Sequence, residues 1–117
     1  MLDWNNYRKG LVSRIGEIAV TSPDTLKGYQ TLTAASKKGG RLDAKTVELI
    51  SLAVAVTTRC DGCIAVHTAE AVKQGATKEE ITDALSVAIA LNAGAAMVYS
   101  ARVMDAHAAF ANPAQSA

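Results

Sequence analysis

An all-α fold follows from three features of this 117-residue chain. No segment shows the strict apolar–polar alternation of a half-buried strand. The apolar half of the sequence is aliphatic and rich in alanine, with aromatics at only 4%, a composition that favours helix over strand. Helix start and stop signals divide the chain into about six helices, a bundle with one core, because 117 residues are enough for one domain and too few for two. The domain therefore spans 1–117.

Asp3 is placed to cap a first helix reaching to about Val20, with Leu11, Ile15 and Ile18 at helical spacing. Ser22-Pro23 then reads as an N-cap followed by proline in the first turn, opening a second helix that ends before Lys37-Lys38-Gly39-Gly40. Asp43 caps a third helix through Val56, and the pattern falters at Thr57-Thr58-Arg59. A fourth begins at Cys60 or Asp61 and stops at Gln74-Gly75, where glycine suits the left-handed position after a helix. Thr77 with Glu80 forms a capping box for a fifth helix. Asn92 to Gly94 is the expected bend or break before a sixth helix ending near Phe110, and the tail from Asn112 to Ala117 is expected to fray.

Charge and composition narrow the function. Lys plus Arg at 12 against Asp plus Glu at 11 leave a formal charge of +1, so there is no basic field for nucleic acid or anionic lipid. The most apolar stretch, Ala84 to Tyr99, contains Asn92 and Gly94 and falls short of the roughly 20 apolar residues of a membrane span. It reads as buried protein. The N-terminus lacks the basic and long apolar regions of a secretory signal, which points to the cytoplasm. The helices after Asp43 and Thr77 are apolar on more than one face, so an obligate homo-oligomer is expected to cover them.

The chemistry gathers in Glu48, a twelve-residue step to Cys60, then Cys63 and His67. At about 100° per residue, Cys60, Cys63 and His67 share one helix face, which makes both a disulfide and a Cys63–His67 hydrogen bond feasible. Thiols in the first turn of a helix gain from its free N–H groups and positive end, and Arg59 adds a cation next door. His67 is the side chain in reach that titrates near neutrality and can serve as the base. Antiparallel packing of the third and fourth helices sets Glu48 about half a turn from His67, partly buried and in need of a partner. Separately, each residue has an ordinary reading: Glu48 as a surface ion-pair member with Lys45, the cysteines as small core residues, His67 as a structural histidine. His107, with no cysteine near it, is read as structural.

Together, Glu48, Cys60-x-x-Cys63 and His67 resemble the E…C-x-x-C-x-x-x-H signature of the alkylhydroperoxidase D-like proteins within the carboxymuconolactone decarboxylase family. The resemblance covers roughly Arg41 to Met104. It implies an all-α fold, homo-oligomers that are commonly trimers or hexamers built as trimers of dimers, and thiol-dependent reduction of hydroperoxides with no bound cofactor. Carried over residue by residue, it implies Cys63 as the thiol that attacks peroxide and Cys60 as its disulfide partner. It implies Glu48 with His67 as a proton relay, and an external dithiol as reductant. The best-studied members carry a histidine just before the second cysteine; Gly62 stands there in this chain. Three other readings of the same residues stay open: a zinc site on Cys60, Cys63, His67 and Glu48, a non-enzymatic redox-sensing helical oligomer, and a lactone decarboxylase.

Overall fold

The structure is a computed structural model and describes residues 1–112 and 114. The described residues form five α-helices: α1 (Trp4–Thr21), α2 (Pro23–Lys38), α3 (Ala44–Thr58), α4 (Asp61–Lys73) and α5 (Lys78–Ala111). The fold is all-α, with no strand among the described residues.

Local chemistry sets the boundaries. Asp3 accepts a hydrogen bond from the Asn6 amide at 3.1 Å, and Asp43 accepts one from Thr46 at 2.7 Å, so each satisfies a free donor at a helix start. The capping box at α5 is complete: Thr77 Oγ1 accepts from the Glu80 amide, and Glu80 accepts from the Thr77 amide. Ser22 differs from expectation, because its hydroxyl pairs with that of Thr25 at 2.7 Å and makes no side-chain cap to the backbone. α4 ends at Gln74, and Gly75 follows with a φ of 84°, a conformation that would strain a residue with a Cβ.

The chain has one long terminal helix where two were expected. Asn92 lies inside α5 and does not break it. Its amide donates to the Ala88 carbonyl at 2.7 Å and to Thr57 Oγ1 on α3 at 2.9 Å, so the polar group is satisfied while the helix continues. Asn112 ends α5, whereas Pro113 and residues 115–117 of the expected frayed tail lie outside the described residues.

α3 is the hub, packed against α4 on one side and α5 on the other, while α1 packs on α2 and α4. The buried residues are few and small: Leu52 and Ala55 of α3, Ala65 and Ala71 of α4, Ala88 of α5, and the carboxylic acid Glu48. The radius of gyration is 20.1 Å, against about 13 Å for a compact chain of this length. The stretch read as buried protein is exposed in the single chain, with Met97 at 76% and Val98 at 75%. By length and composition, α5 could cross a membrane.

Candidate functional site

The α3–α4 turn builds the site. α3 closes on Arg59, whose left-handed backbone (φ 53°) reverses the chain while its amide bonds the carbonyls of Ala55 and Val56. Cys60 follows in extended conformation as the N-cap of α4, and its sulfur accepts the Cys63 amide at 3.2 Å. A thiol thus takes the place that serine or aspartate holds at an ordinary helix start. The sulfurs of Cys60 and Cys63 stand 2.6 Å apart, both free thiols.

One turn further along α4, His67 Nδ1 lies 2.7 Å from Glu48 Oε2, and Glu48 is only 2% exposed. A carboxylate taken this far from water is tolerable because charged or hydrogen-bonding partners face both oxygens. His67 meets Oε2, and Lys37 Nζ from the last turn of α2 lies 3.7 Å from Oε1. With Nδ1–H donating to the acid, neutral His67 presents Nε2 as its acceptor. The expected ordinary partner of Glu48, Lys45, is engaged elsewhere, on Glu80 at 2.7 Å.

Cys63 and His67 open on one cleft of about 250 Å³, walled by Ile50, Ser51, Val54, Ala55 and Thr58 of α3. The direct Cys63–His67 bond that the spacing allowed is not made. The Cys63 sulfur faces Cys60, and the Nδ1 atom of His67 faces Glu48. The two thiols differ in acidity. Cys60 is held below the usual thiol range, first by its hydrogen bond with the Cys63 thiol, then by the Cys63 and Gly62 amides, with burial and Asp61 opposing. Cys63 is pushed up, first by that same bond to Cys60, then by burial and by the Cys60 charge. The amides of the helix start thus lower the Cys60 pKa, second to the contact between the two thiols. Arg59 is not among the groups that set the Cys60 shift.

The four residues singled out in the sequence are thus brought together in two contacting pairs, thiol with thiol and acid with imidazole. They do not converge as a zinc set: no group of three or more His, Cys, Asp or Glu side chains is arranged to hold a metal ion among the described residues. Two neighbours were missed. Lys37 has no spacing relation to the motif, and only its place in a basic helix end hinted at a nearby anion. Leu11 of α1 lies over Gly62, where a Cβ would come within 2.8 Å of its Cδ2. Ser51, Ala55 and Thr58 were within reach of helix arithmetic, since steps of four and three place them on one face of α3.

Fold and site define a small all-helical protein carrying a paired-thiol turn backed by a buried acid–imidazole pair. The carboxymuconolactone decarboxylase family model matches residues 23–106, and the chain belongs to that family. A solved apo structure of a carboxymuconolactone decarboxylase family protein from Legionella pneumophila superimposes with a TM-score of 0.73 at 33% identity. The match covers 88% of this chain and 92% of that one. An uncharacterized protein of Haemophilus influenzae is 51% identical over 105 residues, covering 90% of this chain and 93% of its own length. Uncharacterized protein 4 in the cox locus of Paracoccus denitrificans is 33% identical over 90 residues, covering 77% and 81%.

Proposed function

We propose that this chain is a thiol-dependent peroxidase of the cytoplasm that reduces organic hydroperoxides through Cys63 and Cys60. The observation that carries the reading is the conjunction of two contacts at one turn. The sulfurs lie 2.6 Å apart, and one of them shares a cleft with a histidine whose other nitrogen is held by a buried carboxylate. Cys60 is the more acidic thiol and Cys63 the less acidic, which leaves the attacking thiol to be deprotonated in place, the work of His67 Nε2.

The steps balance without a cofactor. His67 takes the Cys63 proton, and Glu48 steadies the imidazolium through Nδ1–H. The Cys63 sulfur attacks the terminal peroxide oxygen, the O–O bond breaks, and the leaving alkoxide takes the proton back from His67 as an alcohol. Cys63 is then a sulfenic acid. The Cys60 thiol then attacks the Cys63 sulfur, its own proton leaves with the displaced hydroxyl as water, and a Cys60–Cys63 disulfide remains. An external dithiol opens that disulfide by exchange and is itself oxidised. The aliphatic wall of the cleft, from Ile50, Val54 and Ala55, suits an apolar hydroperoxide better than a charged one.

The working form is a homo-oligomer, a trimer or hexamer, closed through the apolar surface of α5. The support is that this surface is too large to leave in water, and a second copy covers it more simply than a bilayer, given Asp83, Arg102 and Asp105 on the same helix. Nucleic acid and membrane are not partners in this reading. The experiment for the reaction is hydroperoxide consumption with a dithiol reductant. Cys63→Ser should abolish turnover, and undiminished turnover in that variant ends the reading.

A further inference from the structure

The Glu48 carboxylate faces two ways, and each oxygen borders a different space. Oε2 holds His67, which opens on the thiol cleft. Oε1 faces Lys37 across a second cleft of about 140 Å³, walled by Glu48 itself with Leu42, Val47, Glu70 and Gln74. The two clefts share no lining residue. Lys37 therefore lies outside the cleft that Cys63 lines, and the contact it makes with the site is with Glu48.

As a stabilising contact the pair is weak, since Lys37 is 53% exposed and 3.7 Å away, and such ion pairs contribute little to folding. Its consequence lies in the charge and rotamer of the acid. We propose that Lys37 is a positioning residue for the thiol site: from outside the cleft it holds the Glu48 oxygen that His67 leaves free, fixing the carboxylate on which the imidazole works. This rests on the thiol chemistry proposed above.

The charged groups in contact with Glu48 are Lys37 from α2 and His67 from α4, Glu70 of α4 shares the wall of the second cleft, and Lys45, earlier on α3, is paired with Glu80 of α5. Glu70 is held below the usual carboxylate range, first by the Gln74 amide, then by Lys73, Lys37 and His67, with burial opposing. Lys37 and His67 thus both reach this rim electrostatically. A cation at the edge of the site favours an anion formed within it, and its removal takes that support away. The pH profile of Cys63 reactivity should therefore move to higher pH when Lys37 loses its charge.

The test follows Cys63 alkylation by iodoacetamide against pH in the Cys60→Ala background, so that a single thiol reports, with helicity and melting temperature recorded alongside. Lys37→Met should move the profile upward and slow alkylation at neutral pH by about two- to fivefold, the scale of one half-exposed charge. Lys37→Arg should restore the profile, and Lys37→Glu should move it further. A profile that stays in place for Lys37→Met in folded protein overturns the proposal, as does a shift that Lys37→Arg fails to reverse. Hydroperoxide turnover of the wild type is measured separately. If it is nil while the profile still moves, the peroxidase reading falls and the Lys37 assignment stands.

Discussion

Charge placed on the apolar side of α5 should take the assembly apart. The chain exposes 9135 Å², whereas a compact monomer of 12.2 kDa exposes about 6,100 Å², leaving an excess of about 3,000 Å² per subunit. A standard interface takes about 800 Å² from each partner, so the excess is of the size that obligate assemblies bury. Val98, 75% exposed in the single chain, should gain about 1–2 kcal/mol on being covered. Val98→Glu removes that gain and adds the cost of desolvating a carboxylate, several kcal/mol if it goes in unpaired. A loss of about 3 kcal/mol or more per subunit weakens dissociation constants by about two orders of magnitude. Sedimentation equilibrium should show the wild type at a multiple of the 12.2 kDa protomer and the variant shifted to smaller species that unfold at a lower, concentration-dependent temperature. A wild type that sediments as a monodisperse protomer at tens of micromolar, yet melts cooperatively at a temperature independent of concentration, would refute the reasoning.

Four further outcomes are expected. Glu48→Gln keeps the shape beside His67 but loses the charge opposite the imidazolium, so hydroperoxide turnover should fall by about 10²-fold or more while the fold persists; full activity would remove Glu48 from the mechanism. Cys60→Ala deletes the largest cause of the raised Cys63 pKa, so Cys63 should alkylate at lower pH than in the wild type. Conversely, Cys63→Ala should raise the pH at which Cys60 reacts, because its main stabilising hydrogen bond is gone while the backbone amides remain; mass spectrometry of the labelled peptides separates the two thiols. Finally, Gly62→His must displace Leu11, since even a Cβ meets its Cδ2 at 2.8 Å. It should cost about 1–3 kcal/mol in chemical denaturation, and Leu11→Ala should relieve most of that cost.

How much of this was legible in the sequence depended on how local the cause is. The caps at Asp3, Asp43 and Thr77 and the stop at Gly75 are settled within four residues, and all stand where their side chains and turn chemistry placed them. The helix break expected at Asn92–Gly94 failed because Asn92 finds Thr57 on another helix, which no local pattern reveals. Within the site, the same-face arithmetic for Cys60, Cys63 and His67 and the burial of Glu48 were readable, the first from helical period and the second from the apolar run that follows. Which cysteine is the more acidic was not. It depends first on the contact between the two thiols, and then on Cys60 lying just outside the helix, where its sulfur accepts the Cys63 amide. Lys37 escaped notice because its contact with Glu48 joins residues eleven apart across the Gly39-Gly40 turn.

The matched family span begins at residue 23, yet the atom nearest the space above Gly62 belongs to Leu11 in the helix before it. The part of the chain outside the shared pattern therefore rests directly on the dipeptide separating the sulfurs. A change at Leu11 would alter what leans on that dipeptide while leaving every signature residue untouched.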